Sequence, residues 1–318
     1  MIFGVLRFQV VAAVGPPRYN ARDKQRLANG RGRAKMEHGA ESKAPERTGP
    51  WQGMVVLDRI EDGGEDDILY PFALEELLCR RIGRGAPPML HMWRHPRAFV
   101  MGLRDSRLPR AREAARELER QGWRTAVRSS GGAAVPLDPG VVNVSLLLPK
   151  AAGDMEHRKD FERMVALLRE TLLALTDQVE QGEVTGSFCP GEFDLSIGGR
   201  KFCGIAQRRQ QLALSVQAFV IVAGSGRERG ERARAFYEQA AAGAAAEAYP
   251  QVEPARMASL AECLAAALTP ERFAAALCGL LAGSASAEAT AAALAAVPDE
   301  AEVRAMAAQL RSRYGFKE

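Results

Sequence analysis

The sequence predicts a globular α/β protein that ends in a run of helices, and three observations carry that reading. Helix-period and strand-period stretches interleave between about residues 67 and 222. Val141–Leu148 reads as a continuous apolar strand, buried on both faces. After about Ala223 the texture becomes Ala-rich and helical. The chain has 318 residues, 47% of them apolar, which is ample for a packed core. That content disfavours whole-chain disorder and fibrous repeats, and a mean hydropathy of −0.18 disfavours a polytopic membrane protein.

The elements follow in order. In PFALEELLCRRIG, Leu74, Leu77, Leu78 and Ile82 share one helical face, with Gly83 placed to cap the end. Met89–Arg94 and Ala98–Leu103 read as strands around a turn at Pro96. Pro109 opens a charged helix ending near Gly122, expected as a solvated surface element, and Arg124–Arg128 is a strand leading into Ser129-Ser130-Gly131-Gly132. A second amphipathic helix starts near Asp160, with Phe161, Met164, Leu168, Leu172 and Leu175 along one side. An irregular, glycine-bearing stretch from Gly182 to Gly191 holds Cys189. Strands at Glu192–Ile197, Lys201–Gln207 and Leu212–Val222 follow, the first two joined as a hairpin by Gly198-Gly199. Residues 256–318 read as two to four helices without evident chemistry.

The formal charge of +4 is a sum of unlike parts. Residues 1–50 carry ten basic and four acidic residues, leaving the other 268 at net −2, so no folded part is expected to bind nucleic acid. Residues 2–14 are apolar but too short to span a bilayer, and no other segment reads as transmembrane. Their basic residues follow the apolar run and no Ser precedes Ser42, which fits neither a secretory signal nor a transit peptide. Residues 1–60 are read as a disordered head, or an over-long reading frame with the functional start at Met36. The five cysteines, at 79, 189, 203, 263 and 278, form no CxxC pair, and the four histidines do not join them at metal-ligand spacing. Neither a disulfide framework nor a metal site is expected, and a cytoplasmic location is the default.

Two segments carry candidate chemistry. Arg128-Ser-Ser-Gly-Gly-Ala-Ala-Val-Pro-Leu-Asp138 is a loop whose Gly131 and Gly132 suit close backbone approach to a ligand, though a plain tight turn would use the same glycines. Cys189, in a loop and not on an apolar element face, is a candidate nucleophile. Lys201 begins a strand just after that loop; near Cys189 it would favour the thiolate and donate to a developing oxyanion. Strict alternation puts Lys201, Cys203, Ile205 and Gln207 on one face, so Cys203 competes for the nucleophile role. No histidine is near either cysteine in sequence, although folding could bring His91, His95 or His157 close. Arg208-Arg209 suits either a grip on an acidic group or a plain charge pair at a hairpin end.

Four stretches together resemble the biotin/lipoate A/B protein ligase family. They are DILYPFALEELLCRRIGRG (67–85), LHMWRHPRAFVMGLRD (90–105), RSSGGAAVPLDPGVVNVSLLLP (128–149) and GSFCPGEFDLSIGGRKFCGIAQRR (186–209). Within the family they are most similar to the amidotransferase branch of lipoate assembly, where a loop cysteine is paired with a strand lysine. The third glycine of the family's Ser-Gly-Gly-Gly run is Ala133 here, and the His that often precedes its Asp is Leu137. Both departures point away from the adenylating ligases of the family.

The resemblance implies a mixed central sheet flanked by helices, spanning residues 61–255, with a small helical C-terminal subdomain at 256–318. It implies that Cys189 carries an acyl thioester, that Lys201 lowers its pKa and orients the acyl carbonyl, and that Arg128, Ser130, Gly131, Gly132 and Asp138 shape the acyl pocket. The implied reaction moves an octanoyl group from the lysine of glycine-cleavage H protein to the lysine of E2 lipoyl domains, with no cofactor, nucleotide or metal. Transfer from octanoyl-acyl carrier protein and ATP-dependent lipoate ligation are the related alternatives. A non-catalytic module binding lipoyl domains or acyl chains is the alternative of a different class.

Overall fold

The computed structural model describes residues 49–62 and 67–316, so of the head read for residues 1–60 the part up to residue 48 lies outside the described residues. In chain order the strands are β1 (Val55–Arg59), β2 (Met89–Trp93), β3 (Ala98–Met101), β4 (Arg124–Val127), β5 (Val135–Leu137), β6 (Val141–Pro149), β7 (Glu180–Gln181), β8 (Leu195–Ile197), β9 (Arg200–Arg209) and β10 (Ala213–Ile221). The helices are α1 (Tyr70–Ile82), α2 (Ala111–Arg120), α3 (His157–Leu172), α4 (Gly226–Ala241), α5 (Leu260–Leu264), α6 (Pro270–Leu281), α7 (Ala287–Ala295) and α8 (Glu300–Tyr314). Seven strands form a mixed sheet in the order β1-β2-β6-β10-β9-β8-β7, and β4-β3-β5 form a second, smaller one. In the larger sheet β1 and β2 run parallel and the other neighbours antiparallel.

The large sheet separates two cores. On one face, Val142, Val144, Leu146, Val216 and Val220 pack against Met164, Leu168 and Leu172 of α3 and Phe273 and Leu277 of α6. Those helical positions recur every three to four residues, which is why the segments are helices with one dry side. Removing most of a side chain such as Leu168, which is fully buried, costs roughly 2–5 kcal/mol. On the other face, α1, α4 and the small sheet close over the strands through Leu74, Leu78, Phe99, Met101, Val135 and Phe236.

Several expectations shift. The folded chain starts before residue 61, because β1 pairs with β2 and buries Val55 and Leu57 by alternation. The C-terminal helices are not set apart: α6 belongs to one core, while Val303, Met306 and Leu310 of α8 belong to the other, and Arg81 of α1 meets Glu302 at 2.7 Å. The charged helix α2 is not fully solvated, since Ala111, Ala114, Ala115 and Leu118 form a buried stripe too small to stand out among its Arg and Glu residues. Leu175 lies beyond the end of α3 and is 48% exposed. Gly83 keeps a right-handed φ of −64°; its small size matters because a Cβ there would come within 3.0 Å of Leu212 Cβ. The Gly198-Gly199 hairpin has φ of +56° and +70°, the two successive left-handed positions that such a turn requires.

The register of the large sheet lays a floor under the small one. One rung carries Trp93, Asn143, Phe219 and Gly204, and the next on the same face carries His91, Ser145, Gln217 and Ala206. Asn143 and Ser145 are thus the polar interruptions on one side of β6, whose other side is entirely aliphatic.

Candidate active site

Cys189 sits over this floor, 7% exposed, in a cleft walled by Phe72, Trp93, Val100, Val135, Leu137 and Phe219. The cleft spans about 460 Å³ counted to its mouth, but its side chains leave about 30 Å³ of room, close to the volume of one water. Two donors reach the sulfur: the Ala133 N–H at 3.2 Å and Arg128 Nη2 at 3.4 Å. One donor is a backbone amide and the other a guanidinium, and both are aimed at the sulfur.

The glycine loop is built to come this close. Gly132 has φ +90°, and a Cβ on it would lie 2.8 Å from Cys189 Sγ and 2.5 Å from Arg128 Nη2. Buried Arg128 spans the loop, donating from Nε to Gly131 O at 3.1 Å and from Nη2 to Ala133 O at 2.8 Å. From behind, Ala134 N donates to Tyr237 Oη at 3.1 Å, Tyr237 donates to Asp105 Oδ1 at 3.0 Å, and Asp105 Oδ2 accepts from Gly102 N at 2.7 Å. Burial pushes both the Asp105 carboxyl and the Tyr237 phenol up, so the phenol stays a donor. Tyr237 and Asp105 carry no motif signal; they lie 103 and 29 residues from Ala134 and meet it only in the fold.

Cys189 itself has φ +49°, a left-handed conformation that a side chain with a Cβ adopts at a cost of roughly 1–3 kcal/mol. Lys201 holds it there. The ammonium, fully buried, donates to Phe188 O at 2.9 Å and to Cys189 O at 2.5 Å, and pairs with Asp194 Oδ2 at 2.8 Å. An ammonium has three hydrogens, and these three acceptors use them. Burial pushes the Asp194 carboxyl up to about 6, although the Lys201 charge pulls the other way.

The shared face expected for Lys201 and Cys203 does not form. Opposite the step from Leu195 to Ser196, β9 advances two residues, from Cys203 to Lys201, leaving Phe202 as a bulge. Phe202 and Cys203 therefore both enter the core on the α3 side, while Lys201 turns to the other side, 5.5 Å from the Phe219 ring centre. Burial pushes the Cys203 thiol up, and Asp194 adds to the effect.

Of the other sequence candidates, Ser130 is buried and lines the cleft, whereas Gly131 contributes only its carbonyl. Asp138 is not in the cleft: it pairs with Arg229 at 2.5 Å and accepts from Gly140 N at 2.8 Å, beyond the end of β5. His91 is bonded to Glu75, His95 to Arg97 N and His157 to Met155 O, and neither hydrogen-bond partner of Cys189 Sγ is a histidine. Arg208 pairs with Glu76 at 2.7 Å and Arg209 with Asp160, so both act inside the fold. Among the described residues no group of three or more His, Cys, Asp or Glu is placed to hold a metal, and no helix is long and apolar enough to cross a membrane.

Comparison with known proteins places the chain in a family. Residues 67–281 match the lipoyl protein ligase A/B catalytic domain. An octanoyl-[GcvH]:protein N-octanoyltransferase of Anoxybacillus flavithermus is 42% identical over 216 residues, covering 67% of this chain and 78% of the relative. The Geobacillus kaustophilus protein of the same name is 41% identical over 224 residues, covering 70% and 79%. In fold, the chain is similar to a lipoate-protein ligase A bound with ATP, with a TM-score of 0.57 at 19% identity, covering 84% of this chain and 96% of the other. A bipartite lipoate protein ligase from Thermoplasma acidophilum gives a TM-score of 0.55 at 17% identity, covering 84% and 97%.

Proposed function

The chain belongs to the lipoyl protein ligase A/B catalytic domain family, and from that premise we propose that it transfers an octanoyl group from glycine-cleavage H protein to E2 lipoyl domains through a thioester on Cys189. The observation that carries this reading is the placement of Cys189 Sγ against an apolar cleft with two N–H donors on the sulfur. Relatives named for the same transfer, about 40% identical over two thirds of the chain, support the donor assignment.

The chemistry runs in two balanced halves. Sulfur bonds to the octanoyl carbonyl carbon, the C=O pair moves onto oxygen, and its return breaks the C–N bond. The electrons leave on the donor lysine nitrogen, which takes up the proton that the thiol gives up. The acceptor lysine nitrogen then attacks the thioester, the C–S bond breaks, and the amine proton returns to sulfur. A thioester divides amide-to-amide exchange into two easier steps.

The chain's residues supply position and charge. Arg128 and Ala133 N–H hold the sulfur, Gly132 leaves it room, and Lys201 with Asp194 fixes the backbone on which it stands. Lys201 is accordingly a positioning residue. The Phe72, Val100, Val135 and Leu137 walls take the acyl chain, worth about 0.8 kcal/mol per buried methylene, and side chains must shift to admit it.

Incubation with octanoyl-H protein and an E2 lipoyl domain, without ATP, tests the reading. Octanoyl transfer is expected, with a trapped octanoyl adduct by mass spectrometry that is absent in Cys189→Ser and present in Cys203→Ser. No transfer there, together with activity from octanoyl-acyl carrier protein or from lipoate plus ATP, overturns it.

A further inference from the structure

The mechanism above leaves the acyl oxygen without a donor. When the C=O pair moves onto oxygen, that atom needs a hydrogen bond inside a narrow cleft with room for little more than one water. Lys201, the residue the sequence offers for this, has its three hydrogens on Phe188 O, Cys189 O and Asp194. The Ala133 N–H is engaged by the sulfur, and Arg128 Nη2 is divided between the sulfur and Ala133 O.

Among the described residues five buried side-chain polar atoms have no hydrogen-bond partner, and two of them, Asn143 Nδ2 and Ser130 Oγ, belong to residues lining the cleft. Asn143 is 8% exposed and Ser130 is 4% exposed. A buried amide left unpaired is destabilising, so its presence beside the apolar Phe72, Trp93, Val100 and Val135 walls points to a partner that comes and goes. An octanoyl chain has a single acceptor, its carbonyl oxygen.

Register places Asn143 at the cysteine end of the floor. It shares a rung with Phe219 and Gly204, and the Phe219 ring stacks on Phe188, the residue before Cys189, at 5.6 Å. The next rung, farther along the strands, carries Gln217, whose amide is already bonded to Glu75 at 2.5 Å. The unpaired amide therefore lies at the cysteine end of the floor and the satisfied one lies farther along.

Taking the Cys189 thioester reading as given, we propose that Asn143 is a catalytic residue whose side-chain N–H binds the acyl carbonyl oxygen, in the acyl-enzyme and in the oxyanion on either side of it. Ser130 Oγ stands ready as a second donor. No proton moves through Asn143; the amide only stabilises the electron pair on oxygen until it returns.

The test uses the full-length protein acylated from octanoyl-H protein whose octanoyl carbonyl carries carbon-13. Isotope-edited infrared spectroscopy should show the thioester carbonyl at lower frequency in the wild type than in Asn143→Leu or Asn143→Ala, which lack the donor. Acylation should slow by about 10²–10³-fold in both, the usual effect of losing one oxyanion donor, with KM little changed. The Tm of Asn143→Leu should equal or exceed that of the wild type, because an unpaired buried amide has been removed, whereas a merely structural asparagine would lose stability. An unmoved carbonyl band in an acyl-enzyme that does form, or a wild-type acylation rate in either variant, overturns the role of Asn143 alone. A wild type that forms no acyl-enzyme overturns the thioester itself, and the Asn143 role with it.

Discussion

Lys201 grips Cys189 by its backbone carbonyl, at 2.5 Å, and leaves the sulfur to other donors. The ammonium and Asp194 are both essentially buried, so each depends on the other for its charge. Lys201→Met should unfold more readily by roughly 3–5 kcal/mol, because it strands the Asp194 carboxyl, and should form no octanoyl adduct. Adding Asp194→Leu should recover part of the Tm and none of the adduct. Chemical denaturation with adduct mass spectrometry on both variants separates the two effects; equal recovery of stability and acylation would contradict the positioning role.

Gly132→Ala should abolish transfer at a smaller cost to folding. The new Cβ would stand 2.8 Å from Cys189 Sγ at a residue with φ +90°, so the loop must withdraw and take the Ala133 N–H with it. The expected stability loss is about 1–3 kcal/mol, while labelling of Cys189 by a small thiol reagent should become faster as the loop opens. Slower labelling would argue against this geometry.

The Asp194 carboxyl gives stability a pH dependence of definite sign. Burial pushes the folded carboxyl up to about 6, above the ordinary aspartate value of 3.8, so between those values the folded state holds a proton that the unfolded state has released. Its contribution is therefore fully present below about pH 4 and is lost as pH rises through about 6, amounting to a few kcal/mol at most. Denaturation free energies of the wild type, measured across pH 4 to 7 against Asp194→Asn, should diverge with that slope. Parallel curves would refute it.

Tyr237→Phe should slow acylation without changing the apolar walls. It removes the acceptor of Ala134 N and the donor to Asp105, leaving a buried carboxyl oxygen without its phenol. The expected cost is about 1–3 kcal/mol of stability and roughly tenfold in acylation rate. A normal rate would mean that the loop holds its shape without this support.

How much of this was legible in the sequence depended on the range of each interaction. The hairpin at Gly198-Gly199, the helical face of α3 through Met164, Leu168 and Leu172, and the loop position of the cysteine rest on local patterns, and they stand where sequence reading puts them. β1 was obscured by its length of five residues, and the buried stripe of α2 by being mostly alanine. Asp138 matches a family motif but is pulled out of the cleft by Arg229, a partner 91 residues away. In sequence Asn143 and Ser145 sit inside a strand that reads as continuously apolar; only cross-strand register shows that they share one face and floor a cleft. The partners of Lys201 were hidden because a bulge breaks the alternation from which its direction was inferred.

That bulge at Phe202 works as a parity switch. The strand carries one residue more than its neighbour can match, and this surplus decides which way every side chain before it turns. Flattening β9 without shortening it would swing the lysine toward α3 and leave the cysteine loop untethered, although no residue of the motif would have changed. Deleting Phe202 would keep the lysine's direction and empty a place in the core. Two thiols in one short sequence motif thus come to different places, Cys189 at the cleft beside the tethered loop and Cys203 within the core, through a count of residues and not through their identity.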